Sequence, residues 1–180
     1  MTQPLIVRPS EAEYQPYFGR YIALVPEGDI VATLVSQNQS TLALLRSLPE
    51  PKGAFRYAPG KWSIREVVGH MSDTERIFAD RALRFARNDA TPLPGFEEGD
   101  YIRNGSFDDY RLADLADEFE SVRRATVFLL RHMTAEASAR RGKANNAEIS
   151  VRALAYVSAG HELHHMNVLR TRYLEGVQVG

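Results

Sequence analysis

Residues 63–87 read SIREVVGHMSDTERIFADRALRFAR, and their spacing decides the fold class. The stretch opens Ser63-Ile64-Arg65-Glu66, the S-x-x-E pattern of a capping box ahead of an apolar periodic run. At about 100° per residue, Ile64, Val67, Val68, Met71, Phe78, Ala82 and Phe85 share one face, with His70, Thr74 and Arg81 along its edge. The spacing predicts a long helix to about Arg87, with a histidine at the border of the core. The same periodicity recurs elsewhere. A first helix is expected from about Asp29 to Leu48, on Leu34, Thr41, Leu45 and Leu48. A third is expected from about Asp109 to His132, on Leu112, Leu115, Phe119, Val122, Thr126 and Met133. A fourth spans about Ser150 to Leu174. Four such segments with connections of unequal length predict an all-α four-helix bundle with long crossover loops. One domain covers 1–180, with the bundle at about 29–175.

The intervening segments carry less pattern. Residues 1–28, with Pro4, Pro9, Pro16 and Pro26, read as an irregular lead-in packed against the body. NDATPLPGFEEGDYIRNGS, 88–106, is too rich in Pro and Gly for regular structure and is expected as a loop packed through Phe96 and Tyr101. TAEASARRGKANNAE, 134–148, reads as a polar connection, and no strand pattern is evident.

Composition narrows the function. With 180 residues, 44% of them hydrophobic, the chain can bury one sizeable core. A net charge of -1 leaves no basic excess to hold nucleic acid or an anionic membrane. No apolar run approaches the roughly 18 residues of a membrane span, and MTQPLIVRPSEAEY lacks the basic-then-apolar order of a secretion signal, so a cytoplasmic location is expected. The absence of cysteine excludes disulfides, thiolate ligands and a cysteine nucleophile. Any metal must be held by histidine or carboxylate.

GHELHH, 160–165, concentrates three of the five histidines. On the wheel of the fourth helix, Val157, His161, His165 and Val168 fall within about 60° of Leu154, with His161 and His165 flanking it, so those two point inward. An i, i+4 histidine pair binds one ion from a single helix, and His70 is the natural third ligand from a facing helix. His164 lies toward the edge, Glu162 toward the opposite edge, and His132 faces solvent at a helix end. Arg81 and Arg123, at the edges of apolar faces, are paired or snorkelling residues with a weaker claim to bind substrate. Trp62 reads as a core anchor. The run also spells the H-E-x-x-H of zinc peptidases. That reading is disfavoured, because the extended motif needs Gly and His where Val168 and Thr171 stand.

Taken together, KWSIREVVGHMSDTERIFADRALRFARND, PLPGF, EF-x3-R and AGHELHH resemble the DinB-like superfamily of metal-binding four-helix bundles, which includes the YfiT-like proteins. The resemblance runs from about Pro26 to Tyr173 and covers most of the chain. It implies a divalent ion, zinc or nickel, on His70, His161 and His165. It also implies homodimers, and in some relatives a low-molecular-weight thiol as cosubstrate.

Three neutral imidazoles leave an open coordination position, the arrangement of a catalytic site. The expected function is a metal-dependent enzyme that activates such a thiol or a water against a small electrophile, in the manner of a thiol S-transferase. The alternative is a non-catalytic metal- or small-ligand-binding stress protein. Glu162 or His164 would have to assist from beside the ligands, as would Thr74. The apolar residues Tyr156, Leu163 and Leu174 of the fourth helix suggest a homodimer face, with cover by the lead-in as the competing reading.

Overall fold

The Ser63 hydroxyl accepts the Glu66 N–H at 3.1 Å and the Glu66 carboxylate accepts the Ser63 N–H at 2.7 Å, so the capping box closes. It starts the longest helix in a computed structural model that describes residues 6–174. In chain order the helices are α1 Pro16–Ile22, α2 Ile30–Ser47, α3 Ile64–Ala86, α4 Glu98–Gly105, α5 Leu112–Arg131, α6 Ala135–Ala139 and α7 Val151–Val168. Strands β1 Arg141–Ala144 and β2 Ala147–Ser150 precede α7, which runs on into a π-type turn at Leu169–Tyr173. Asp29 caps α2 and Ser150 caps α7, while the first N–H of α5 is taken by Glu50 at 2.8 Å.

The bundle is α2, α3, α5 and α7. Both α2 and α3 pack against α5 and α7, so α2 faces α3 across the diagonal. The connections before α3 and before α7 therefore cross the bundle, as the unequal spacings predict. No helix among the described residues is long and apolar enough to cross a membrane.

The core divides at the waist. One apolar cluster gathers Leu34, Phe78, Phe85, Val127, Leu130 and Leu154 with the lead-in residues Tyr21, Ile22 and Val25. The other gathers Leu45, Val68, Met71, Leu115, Phe119 and Met166. Between them lies a polar layer to which all four helices contribute. Arg123 of α5, with no exposed surface, donates from Nε and Nη2 to both oxygens of Glu75 at 2.7 and 2.6 Å. Its Nη1 donates to Glu162 at 2.5 Å, and the second oxygen of Glu162 accepts the Thr41 hydroxyl at 2.6 Å. Each carboxylate oxygen thus has a donor. Burial opposes the charge on Arg123, but the two carboxylates outweigh it and hold the proton more tightly than usual.

Several segments differ from their sequence reading. Arg123 stands at the centre of the bundle rather than at an edge, because the buried stripe of α5 is Leu112, Leu115, Phe119, Arg123, Thr126 and Leu130, with Val122 only half-buried. The lead-in is not irregular throughout. Pro16 starts α1, which lies on α7 so closely that a Cβ at Gly160 would overlap the Tyr21 carbonyl. Glu13 and Arg152 add a bidentate pair at 2.6 and 2.7 Å. The Pro- and Gly-rich segment holds α4, and it packs through Leu93 and Ile102, with Phe96 half-buried as expected and Tyr101 exposed. The polar connection holds α6 and an antiparallel hairpin whose turn is Asn145-Asn146, both left-handed. Leu93 ties the two segments together, donating to the Lys143 carbonyl at 2.8 Å. Tyr156 and Leu174 are buried and Leu163 packs on the core, so the apolar face that suggested a homodimer is covered within the chain. The dimer expectation then rests on family resemblance alone. Residues 1–5 and 175–180, which take in Pro4 and the last residue of the expected bundle, lie outside the described residues.

Replacing Arg123 with leucine strands two carboxylates in the core and is expected to cost about 3–5 kcal/mol, read as a lowered urea midpoint. A loss below about 1 kcal/mol would show that the waist tolerates unpaired charge.

Candidate metal centre

Two neighbouring helices bring three rings together. His70 of α3 and His161 and His165 of α7 place their Nε2 atoms around one point. The separations are 3.0 Å from His70 to His161 and 3.1 Å from His165 to His161. All three donor atoms lie within 4.8 Å of one another. Each ring nitrogen has one in-plane site, either a lone pair or an N–H. His161 Nε2 cannot satisfy both neighbours through one site, whereas a cation accepts all three lone pairs. The spacing also approaches the roughly 3.3 Å between nitrogens around a tetrahedral ion with Zn–N bonds of about 2.0–2.1 Å. The donor set therefore fits zinc or a similar divalent ion.

The electrostatics agree. Burial, with the field of His164 beside it, pushes His70 down to about 4. Burial and the neighbouring rings push His161 and His165 well below the ordinary imidazole range. All three are neutral ligands at neutral pH. The Thr74 hydroxyl lies 3.4 Å from His70 Nδ1, near the limit of a hydrogen bond, and Trp62 holds the other side of that ring at 5.0 Å.

The remaining sequence candidates divide. His164 is half-buried, edge-on to Tyr21 at 5.5 Å, and outside the cluster. His132 is exposed, as its position at a helix end predicts. Glu162 and Arg123 belong to the waist, where their polar atoms are already partnered, so the H-E-x-x-H glutamate has no place as a base. Arg81 is buried, donates to the Pro94 carbonyl at 2.8 Å and lines a pocket that His70 and His161 also line. That pocket has a volume of about 460 Å³.

Sequence reading missed the rest of the pocket. Phe18 and Tyr21 come from α1, Phe96 and Glu98 from the segment taken as a loop, and Ile149 from β2. Glu98 Oε2 stands 3.9 Å from His70 Nε2. The one sequence signal available was Asn145-Asn146 between two short runs, which marks a hairpin beside the pocket.

The DinB superfamily profile matches residues 33–169 and so takes in all three histidines. The chain belongs to the DinB superfamily. Among solved structures, YfiT from Bacillus subtilis is described as a probable metal-dependent hydrolase with an unusual four-helix bundle topology. It matches this DinB-superfamily protein with a TM-score of 0.67 at 14% identity, over 91% of this chain and 92% of its own. A DinB-like protein from Bacillus subtilis matches with a TM-score of 0.60 at 21% identity, over 81% of this chain and 90% of its own. Both likenesses establish the fold. No curated protein matches the sequence.

Metal content of purified variants checks the assignment. His70→Ala, His161→Ala and His165→Ala should each lose a divalent ion that His164→Ala and His132→Ala retain. Acid titration of the metal-free protein gives an independent test. In the unfolded chain these rings protonate near 6.5, and in the folded chain His70 does so at about 4. The unfolded state binds more protons between those values, so stability should fall as the pH drops from 6.5 toward 4. A urea midpoint that stays flat across that window would mean the rings are open to solvent.

Proposed function

We propose that this protein is a metal-dependent enzyme whose three-histidine centre activates a water or a low-molecular-weight thiol against a small electrophile. The observation that carries the reading is the convergence of three neutral Nε2 atoms, with His70 and His161 of the cluster lining a pocket large enough for a small molecule. A divalent ion held there supplies Lewis acidity and lowers the pKa of a water or thiol. Three protein ligands leave room for that molecule, and the description of YfiT as a probable metal-dependent hydrolase supports the water route.

The chain's own residues supply the remainder. His70 and His161 form part of the pocket lining, and Trp62 and Thr74 hold His70 in place. Phe18, Tyr21 and Phe78 exclude water from one side. Glu98, with 59% of its side chain exposed and its carboxylate 3.9 Å from His70 Nε2, is the acid placed to take a proton from the attacking molecule. It occupies the role that the sequence alone offered to Glu162.

Turnover should be measured on ester substrates and on thiol-plus-electrophile pairs, with zinc, with nickel and after chelation. Metal-stimulated turnover is expected, and Glu98→Gln should reduce it by about 10²- to 10⁴-fold while the ion is retained. Stoichiometric metal with no turnover on either class would leave a metal-binding protein instead.

A further inference from the structure

Arg81 is a second arginine buried in this fold, with 7% of its surface exposed. Unlike Arg123, it has no carboxylate oxygen within 4.0 Å among the described residues. Among the described residues its one hydrogen bond to protein is from Nη2 to the Pro94 carbonyl. Nε and Nη1 have no partner among the described residues, yet neither is sealed from solvent. Burial opposes the charge on Arg81, and the exposed Asp80 offsets it only from a distance. An ionised group withdrawn from water with no counter-charge in contact is costly, and an anion on the open donors removes that cost.

The geometry says how such an anion would lie. His70, Thr74, Phe78 and Arg81 follow one another at i, i+4, i+8 and i+11, a single stripe along α3. The stripe is about 16 Å long at 1.5 Å per residue. Helical side chains lean toward the N-terminus, so Arg81 leans back toward the histidines. Phe18, Tyr21, Phe78 and Phe96 line the same pocket, and Phe96 lies 5.9 Å from the guanidinium. The pocket's acids, Glu97, Glu98 and Glu148, stay at the rim: Glu97 is exposed, and the side chains of Glu98 and Glu148 are 59% and 74% exposed. Solvent screens them far more than it screens Arg81.

We propose that the pocket takes a small molecule with an apolar body and one carboxylate, the carboxylate seated on Arg81 and the opposite end at the three histidines. This deepens the enzymatic reading and rests on it for the orientation. The Arg81 subsite stands on its own geometry.

The test uses 3-phenylpropanoate and its neutral amide, titrated by calorimetry into the full-length protein, once zinc-loaded and once chelated. The carboxylate is expected to bind in both preparations, about tenfold or more tighter than the amide. Arg81→Gln should abolish the preference, and Arg81→Lys, which keeps the charge without the planar fork, should retain part of it. In the wild-type protein the Arg81 Nε–H resonance should move with the carboxylate and not with the amide, a readout that does not depend on how the variants fold. Equal affinity for the two probes, a preference that survives in folded Arg81→Gln, or a stationary Nε–H resonance each overturns the proposal. A preference seen only with zinc, lost in His70→Ala and kept in Arg81→Gln, puts the carboxylate on the ion and also overturns it. Carboxylate selectivity through Arg81 in a protein that never binds zinc would sink the metal reading and spare the subsite.

Discussion

Arg123 governs the geometry of everything around it. A guanidinium with no exposed surface is tolerable only if its donors are met, and Glu75, Glu162 and the Leu34 carbonyl meet them from three different helices. Apolar layers above and below would allow those helices to slide, since hydrophobic contact is non-directional. The charged layer does not, because sliding α3, α5 or α7 by one turn would strand a charge, and sliding α2 would leave Glu162 and Arg123 short of a hydrogen bond. The same level holds the histidines. Glu162 follows His161 in sequence, and Glu75 follows Thr74, the residue beside His70. The contact that fixes the helix register is thus the one that sets His70 opposite His161.

The H-E-x-x-H run takes on a different meaning in this setting. On α7 its histidines turn toward α3, while its glutamate turns toward α2 and α5. One short run serves the metal centre on one side of the helix and the ion network on the other. The two buried arginines show a parallel contrast. Arg123 is saturated by protein carboxylates, whereas Arg81 meets one carbonyl and a pocket. Burial alone does not distinguish a structural charge from a binding one; the partners do.

The four long helices were legible from periodicity, and the clustering of three histidines from periodicity together with bundle geometry, which sets His70 across from the α7 pair. The Ser63 capping box and the Asp29 start fall where expected, and the wheel places His161 and His165 inward. What periodicity cannot see is pairing across the fold. Arg123 interrupts an apolar stripe, and a local rule sends such a charge to the edge. Only the carboxylates on two other helices bring it inside. Likewise, Glu98 carries no local signal, since its position beside His70 depends on where a proline-rich segment sets down α4. The hairpin was hidden by polar strands that read as a loop, although the paired asparagines supply its turn.

The short α1 carries an implication for how the protein is made. Its seven residues are too few to be helical alone, so its form depends on the surface it meets on α7. That surface is synthesised late: Glu13 and its partner Arg152 lie 139 residues apart. During translation the first helix of the fold must therefore wait, unstructured, for the last bundle helix to emerge. Phe18 and Tyr21 reach the pocket wall only when that docking is complete. His70, His161 and His165 lie on α3 and α7 and need nothing from α1 to converge, so the chamber wall depends on a contact that the histidine cluster does not.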